Sequence, residues 1–228
     1  MSSLAPAAPG TDAPVASTRP RARGWIHLYS AFVAGVVGIA LIVVAATTNG
    51  FAAAVASTIY TLTIIGLFTI SATYHLHTWV SPRARTWMKR ADHSMIFLFI
   101  AGTYTPIAVL ALPMPTRVWV LAIAWGGALL GVALKMLRPH APRWLGVPIY
   151  LALGWVAVFV IPDLARAGTA PLVLILAGGL MYTIGAICYG TRRPNPWPGT
   201  FGYHEVFHAL VSLAAACHAI AIWLIVLR

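Results

Sequence analysis

An all-α bundle of seven membrane-spanning helices is the fold class this chain predicts, and three observations predict it. Sixty per cent of its 228 residues are hydrophobic and only 8% are charged, against about a quarter charged in an average soluble domain. A spanning helix needs about 20 mostly apolar residues, and seven such runs follow one another at 25–47, 53–79, 92–112, 117–136, 144–161, 170–189 and 203–227. The breaks between runs carry turn chemistry: Thr48-Asn49-Gly50, Ser81-Pro82, Pro113-Met114-Pro115, Pro139, Pro162-Asp163 and the stretch from Arg192 to Gly199. No soluble domain fits between them.

Residues 1–24 precede the first run, are rich in Ala, Pro and Ser, and end in Arg19, Arg21 and Arg23, which predicts a flexible cytosolic tail before a transmembrane domain at 25–228. A cleaved signal peptide is not indicated, because the first run is long enough to span. Fifteen Lys and Arg stand against four acids, for a net charge of +11. Assigned to the segments outside the runs, twelve of the basic residues fall on the side of the tail and three on the other. The excess marks the cytosolic side, so the N-terminus is expected inside and the C-terminus outside, as an odd number of helices requires. The same distribution argues against nucleic acid, since the charges are spread over short loops beside the membrane, where anionic lipid attracts them.

Within the runs, Gly126, Gly127, Gly131, Gly178, Gly179 and Gly185 lie in the fourth and sixth, where small residues let backbones approach. Pro106 is expected to kink the third helix, because its ring removes a backbone hydrogen bond. Cys188 and Cys217 sit in apolar surroundings and read as packing residues rather than a disulfide.

Ionisable groups at membrane depth are costly and are functional candidates by default. The second run ends with Ser71-Ala72-Thr73-Tyr74-His75-Leu76-His77, the third opens with Asp92-His93, and the seventh opens with Tyr203-His204-Glu205-Val206-Phe207-His208. With the orientation above, all three clusters meet at the cytoplasmic end of the bundle. His204 and His208 are four apart, on one helix face about 6 Å along the axis. Three imidazoles from two helices with an open fourth position form the ligand set of catalytic zinc, which selects His75, His204 and His208. For Asp92 a first-turn acid favoured by the helix dipole stands beside a site role. For Ser71 a hydrogen bond back to its own helix stands beside a site contact. His27, His77, His93 and His140 read as interfacial, and His218 lies about 21 Å further along its helix than His204, too far for the same ion.

These residues resemble a known family. Ser71-x-x-x-His75, Asp92 and His204-x-x-x-His208, with seven spans, an inside N-terminus and the segment Ala101-Gly102-Thr103-Tyr104-Thr105-Pro106, look like the signature of the hemolysin III and progestin/adipoQ receptor family, over residues 25–228. The resemblance implies Zn²⁺ on His75, His204 and His208, Asp92 holding the zinc-bound water and Ser71 nearby, so that Asp92 and Ser71 are the candidate catalytic residues. The family is in turn similar to alkaline ceramidases, which implies hydrolysis of a lipid amide or ester, with a membrane lipid as partner. The short tail resembles bacterial members, hence a multi-pass protein of the cell's inner membrane.

Two other readings stand beside this one. His204-Glu205-Val206-Phe207-His208 satisfies H-E-x-x-H, so an intramembrane metalloprotease would use Glu205 as general base. A receptor, sensor or pore would use zinc only to staple helices, with the same ligand types. No helix carries a polar stripe along its length to line a pore.

Overall fold

In a computed structural model, which describes residues 20–138 and 143–228, seven helices are long and apolar enough to cross a membrane. They are α1 (Trp25–Asn49), α2 (Phe51–Leu76), α3 (Pro82–Ala111), α4 (Met114–Leu137), α5 (Gly146–Arg166), α6 (Thr169–Thr191) and α7 (Tyr203–Val226). Residues 1–19, most of the expected tail, and His140 lie outside the described residues. Each helix packs against the next, and α7 returns to α1 to close the ring. Helix α3 also reaches α5 and α7; 61% of its apolar window is buried, against 22% for α1, α4, α5 and α6, so it forms the centre. The outer faces present large apolar side chains such as Phe32, Leu130 and Phe159, as a lipid-facing surface requires.

The turn chemistry accounts for the connections. A single residue, Gly50, joins α1 to α2 at φ 82°, a conformation that glycine adopts at no steric cost. Helix α3 begins ten residues before its expected start. Ser81 caps it by accepting from the Ala84 amide at 3.3 Å, and Pro82 occupies the first turn, where a missing N–H costs nothing. Hydropathy marks the bilayer-embedded part of a helix, and the polar stretch from Arg83 to Arg90 hid the rest. Asp92 is therefore mid-helix, which removes the reading of it as a first-turn acid.

Several small residues do set close approaches. A Cβ on Gly131 would meet Phe97 at 2.3 Å, and one on Gly102 would meet Thr63 at 2.0 Å. Gly126 and Gly179, by contrast, face open space. Helix α3 runs unbroken through Pro106. Helix α5 is composite: an α-helical piece ends at Gly154, a 3-10 stretch covers Trp155–Val160, and a last turn runs Ile161–Arg166. It outlasts the expected end at 161 because Pro162 falls in the first turn of that last piece. The Tyr104 hydroxyl spans the break, donating to the Gly154 carbonyl at 2.6 Å and accepting from the Ala157 amide at 2.8 Å. Cys188 and Cys217 are free thiols, as expected.

Candidate metal centre

Three helix ends meet where the site forms. Helix α2 finishes at Leu76, one residue past His75, while α7 begins at Tyr203, one before His204. The antiparallel path thus brings the last turn of α2 beside the first turns of α7 and α1. Immediately before α1, residues 21–24 cross this end: the Arg21 and Ala22 amides donate to the Gly199 and Thr200 carbonyls at 3.3 and 3.1 Å. A Cβ on Gly24 would meet that of His75 at 3.0 Å, so only glycine lets the segment lie so close to α2.

His75, His204 and His208 offer ligand nitrogens that all lie within 4.8 Å of one another. Nε2 of His75 and Nε2 of His204 are 3.2 Å apart. A zinc ion bonded to nitrogen at about 2.0–2.1 Å in tetrahedral geometry separates its ligand atoms by about 3.3 Å. That pair is already at coordination spacing, and His208, one turn along the same helix face, supplies the third nitrogen. The donor set is neutral imidazole, the type that suits zinc, copper, iron or nickel, so the residues fit a transition metal without selecting one. Burial suits the site as well: His75 is 6% and His208 3% exposed.

Ser71, one turn before His75 on α2, donates its hydroxyl to the Asp92 carboxylate on α3. Both line the same cavity as the three histidines. All five residues singled out in the sequence therefore share one space. The remaining histidines divide. His77 is exposed and rests on Trp79. His93 bonds the Lys89 carbonyl through Nδ1 at 2.7 Å. His218, at the far end of the cavity, bonds the Ile175 carbonyl at 3.1 Å.

His27 is not interfacial as expected. It is 3% exposed, and its ring stacks on that of His208 with centroids 3.9 Å apart and planes within 2°. The signal available was depth: His27 lies in the first turn of α1, at the end of the bundle where the other clusters meet. The Arg23–Glu205 pair also escaped notice. Arg23 Nε meets Glu205 Oε1 at 2.5 Å, while Glu205 Oε2 accepts the Gly202 amide at 2.9 Å, capping α7. Glu205 is 1% exposed with both oxygens engaged, which leaves it badly placed to serve as the free base an H-E-x-x-H protease needs.

The cavity has a volume of about 1330 Å³. It runs from the basic mouth at Arg23, Arg85 and Lys89, past the histidines, to Ile107, Leu164 and His218. A seven-helix membrane domain with this site matches the family model described as haemolysin-III related over residues 15–219.

The chain belongs to the haemolysin-III related family. This haemolysin-III related chain is 31% identical to Hemolysin-3 of Bacillus cereus over 173 residues, 75% of each chain. It is 29% identical to the Hemolysin-3 homolog of Bacillus subtilis (strain 168) over 172 residues, 75% of this chain and 77% of that one. Monocyte to macrophage differentiation factor of Homo sapiens is 26% identical over 174 residues, 72% of this chain and 68% of its own. The resemblance carried by the motif residues thus holds over most of the chain, and the haemolysin-III related protein is a multi-pass membrane protein with a buried histidine triad able to hold a metal.

Proposed function

We propose that this protein hydrolyses an amide or ester of a membrane lipid, with zinc held by His75, His204 and His208 at the cytoplasmic side of the cell's inner membrane. One observation carries the reading: a hydrogen-bonded carboxylate, Asp92, and three imidazoles line a single cavity that continues into an apolar interior. A metal in the triad supplies Lewis acidity, polarising a carbonyl and acidifying water to a pKa of about 7. Asp92, oriented by the Ser71 hydroxyl, takes a proton from the attacking water as its oxygen bonds to the acyl carbon. The same carboxyl returns the proton to the leaving nitrogen or oxygen when the acyl bond breaks, giving a fatty acid and an amine or alcohol. The residues beyond Asp92 exclude water and hold the acyl chain. Twelve basic residues against three support the sidedness.

Purified protein should carry one zinc per chain and lose it in His204→Ala. Asp92→Asn should retain the metal and lose about a hundredfold or more of the hydrolysis rate, the usual contribution of a general base. Fully active metal-free protein would falsify the reading. A purely structural ion predicts the opposite for Asp92→Asn, with no function lost.

A further inference from the structure

We infer that the mouth of the cavity is a recognition site for the phosphate of a lipid headgroup, so that the substrate is an anionic phospholipid and not a neutral lipid. The inference rests on the hydrolase reading for its purpose but not for its geometry. Helix α3 sends one stripe into the cavity: Arg85, Lys89, Asp92, Ile96, Phe99 and Ile107, at intervals of three, four or eight residues. At 1.5 Å per residue, Lys89 stands about 4.5 Å and Arg85 about 10 Å to the mouth side of Asp92, and Ile107 about 22 Å to the other. Along a single helix face, cation, carboxylate and apolar wall succeed one another. A glycerophospholipid has the same order of parts, with a few bonds of glycerol between phosphate and acyl carbonyl.

Helix α4 adds a further cation to the lining. Lys135 lines it, lies close enough to Lys89 for the two charges to repel, and turns its ammonium onto Gly146 of α5, where a Cβ would come within 2.4 Å of Nζ. Beside them, the Nε of Arg90 is buried without a hydrogen-bond partner, and its guanidinium lies 4.6 Å from the Trp87 ring. Among the described residues no acid forms an ion pair with these groups: Asp163 pairs with Arg166, Glu205 with Arg23, and Asp92 takes its hydrogen bond from Ser71. Membrane topology asks for positive charge at this end of the bundle, but exposed Arg83, Arg192 and Arg193 already supply it. It does not ask for two partly buried lysines facing one cavity. Like charges so placed are costly unless an anion lies between them, and a phosphate oxygen accepts from ammonium and guanidinium alike.

The test uses purified full-length protein in neutral detergent, titrated with a short-chain phosphatidylglycerol, a diacylglycerol of the same chains, and glycerol phosphate. Phosphatidylglycerol should bind about thirtyfold more tightly than diacylglycerol, the preference two lysines near a lipid headgroup generate. Lys89→Gln/Lys135→Gln should abolish that preference, Lys89→Arg/Lys135→Arg should keep it, and zinc content should be unchanged in both. Equal affinity for the two lipids, or a preference that survives the glutamine pair, overturns the inference. Glycerol phosphate competing at the concentration of the lipid would assign the site to a soluble phosphate and overturn it as well. Should the glutamine pair fail to fold, wild-type protein must still lose its preference as salt rises, and a salt-independent preference is equally fatal. A preference that holds in protein showing no hydrolysis leaves this site standing and removes the enzyme alone.

Discussion

Glu205 has two claims on its carboxylate, the Arg23 guanidinium and the amide of Gly202. In Glu205→Gln the side-chain oxygen can still cap α7, while the charge on Arg23, which is one-fifth exposed, turns to water. We expect a loss of about 1–2 kcal/mol, less than for a fully buried pair, read as a lower melting temperature with zinc retained. A protease using Glu205 as its base would instead lose all turnover at unchanged stability. His27 makes a different demand. Its ring backs His208 in parallel, so His27→Ala frees a ligand to rotate, and zinc affinity measured against a chelator should fall about tenfold, the low end for residues that orient a ligand. The stacking of His27 and the pairing of Arg23 with Glu205 were also what sequence reading left out of the site. His75, His204 and His208 declare themselves by spacing, whereas the partners of His27 and Arg23 lie at the opposite end of the chain, 182 residues away for the ion pair.

The broken helix α5 depends on one hydroxyl. Removing it in Tyr104→Phe leaves the Gly154 carbonyl and Ala157 amide, in the middle of an apolar span, without their partner. That should cost about 1–3 kcal/mol, visible by thermal denaturation, and shift the cavity wall that Gly154 and Ala157 help form. The approach of α3 to α4 is similarly exacting. Phe97 is fully buried and a methyl at Gly131 would overlap its ring, so Gly131→Ala should destabilise by about 1–3 kcal/mol through overpacking, while Gly126→Ala, facing open space, should change little. Glycines in an apolar run suggest close packing in general. Which of them meets a neighbour depends on helix rotation, and a run of apolar residues on all sides carries no signal for that.

Over the whole molecule, the proposed sidedness of seven crossings requires the two chain ends on opposite sides of the membrane. A reporter fused at the C-terminus should give the extracytoplasmic signal, and a cysteine placed at exposed Ser81 should label only from the cytosol. Labelling of that position from outside would invert the bundle and carry the histidine triad and the basic mouth with it. The central place of α3 gives this topology its use, since the helix that lines the cavity from mouth to depth also touches both α5 and α7.

Composition, the length of the apolar runs and the spacing of a few polar residues determined the helix count, the meeting of three polar clusters at one end of the bundle, and five side chains that line one cavity there. They could do so because a bilayer favours helix for an apolar run of about 20 residues and makes each polar residue within it conspicuous. Tertiary structure alone decided where α3 begins, where α5 breaks, that His27 stacks on His208 and that Lys135 comes near Lys89. Each of these depends on how one helix is turned toward another, and rotation about a helix axis is set by packing between surfaces that sequence, read one segment at a time, does not bring together.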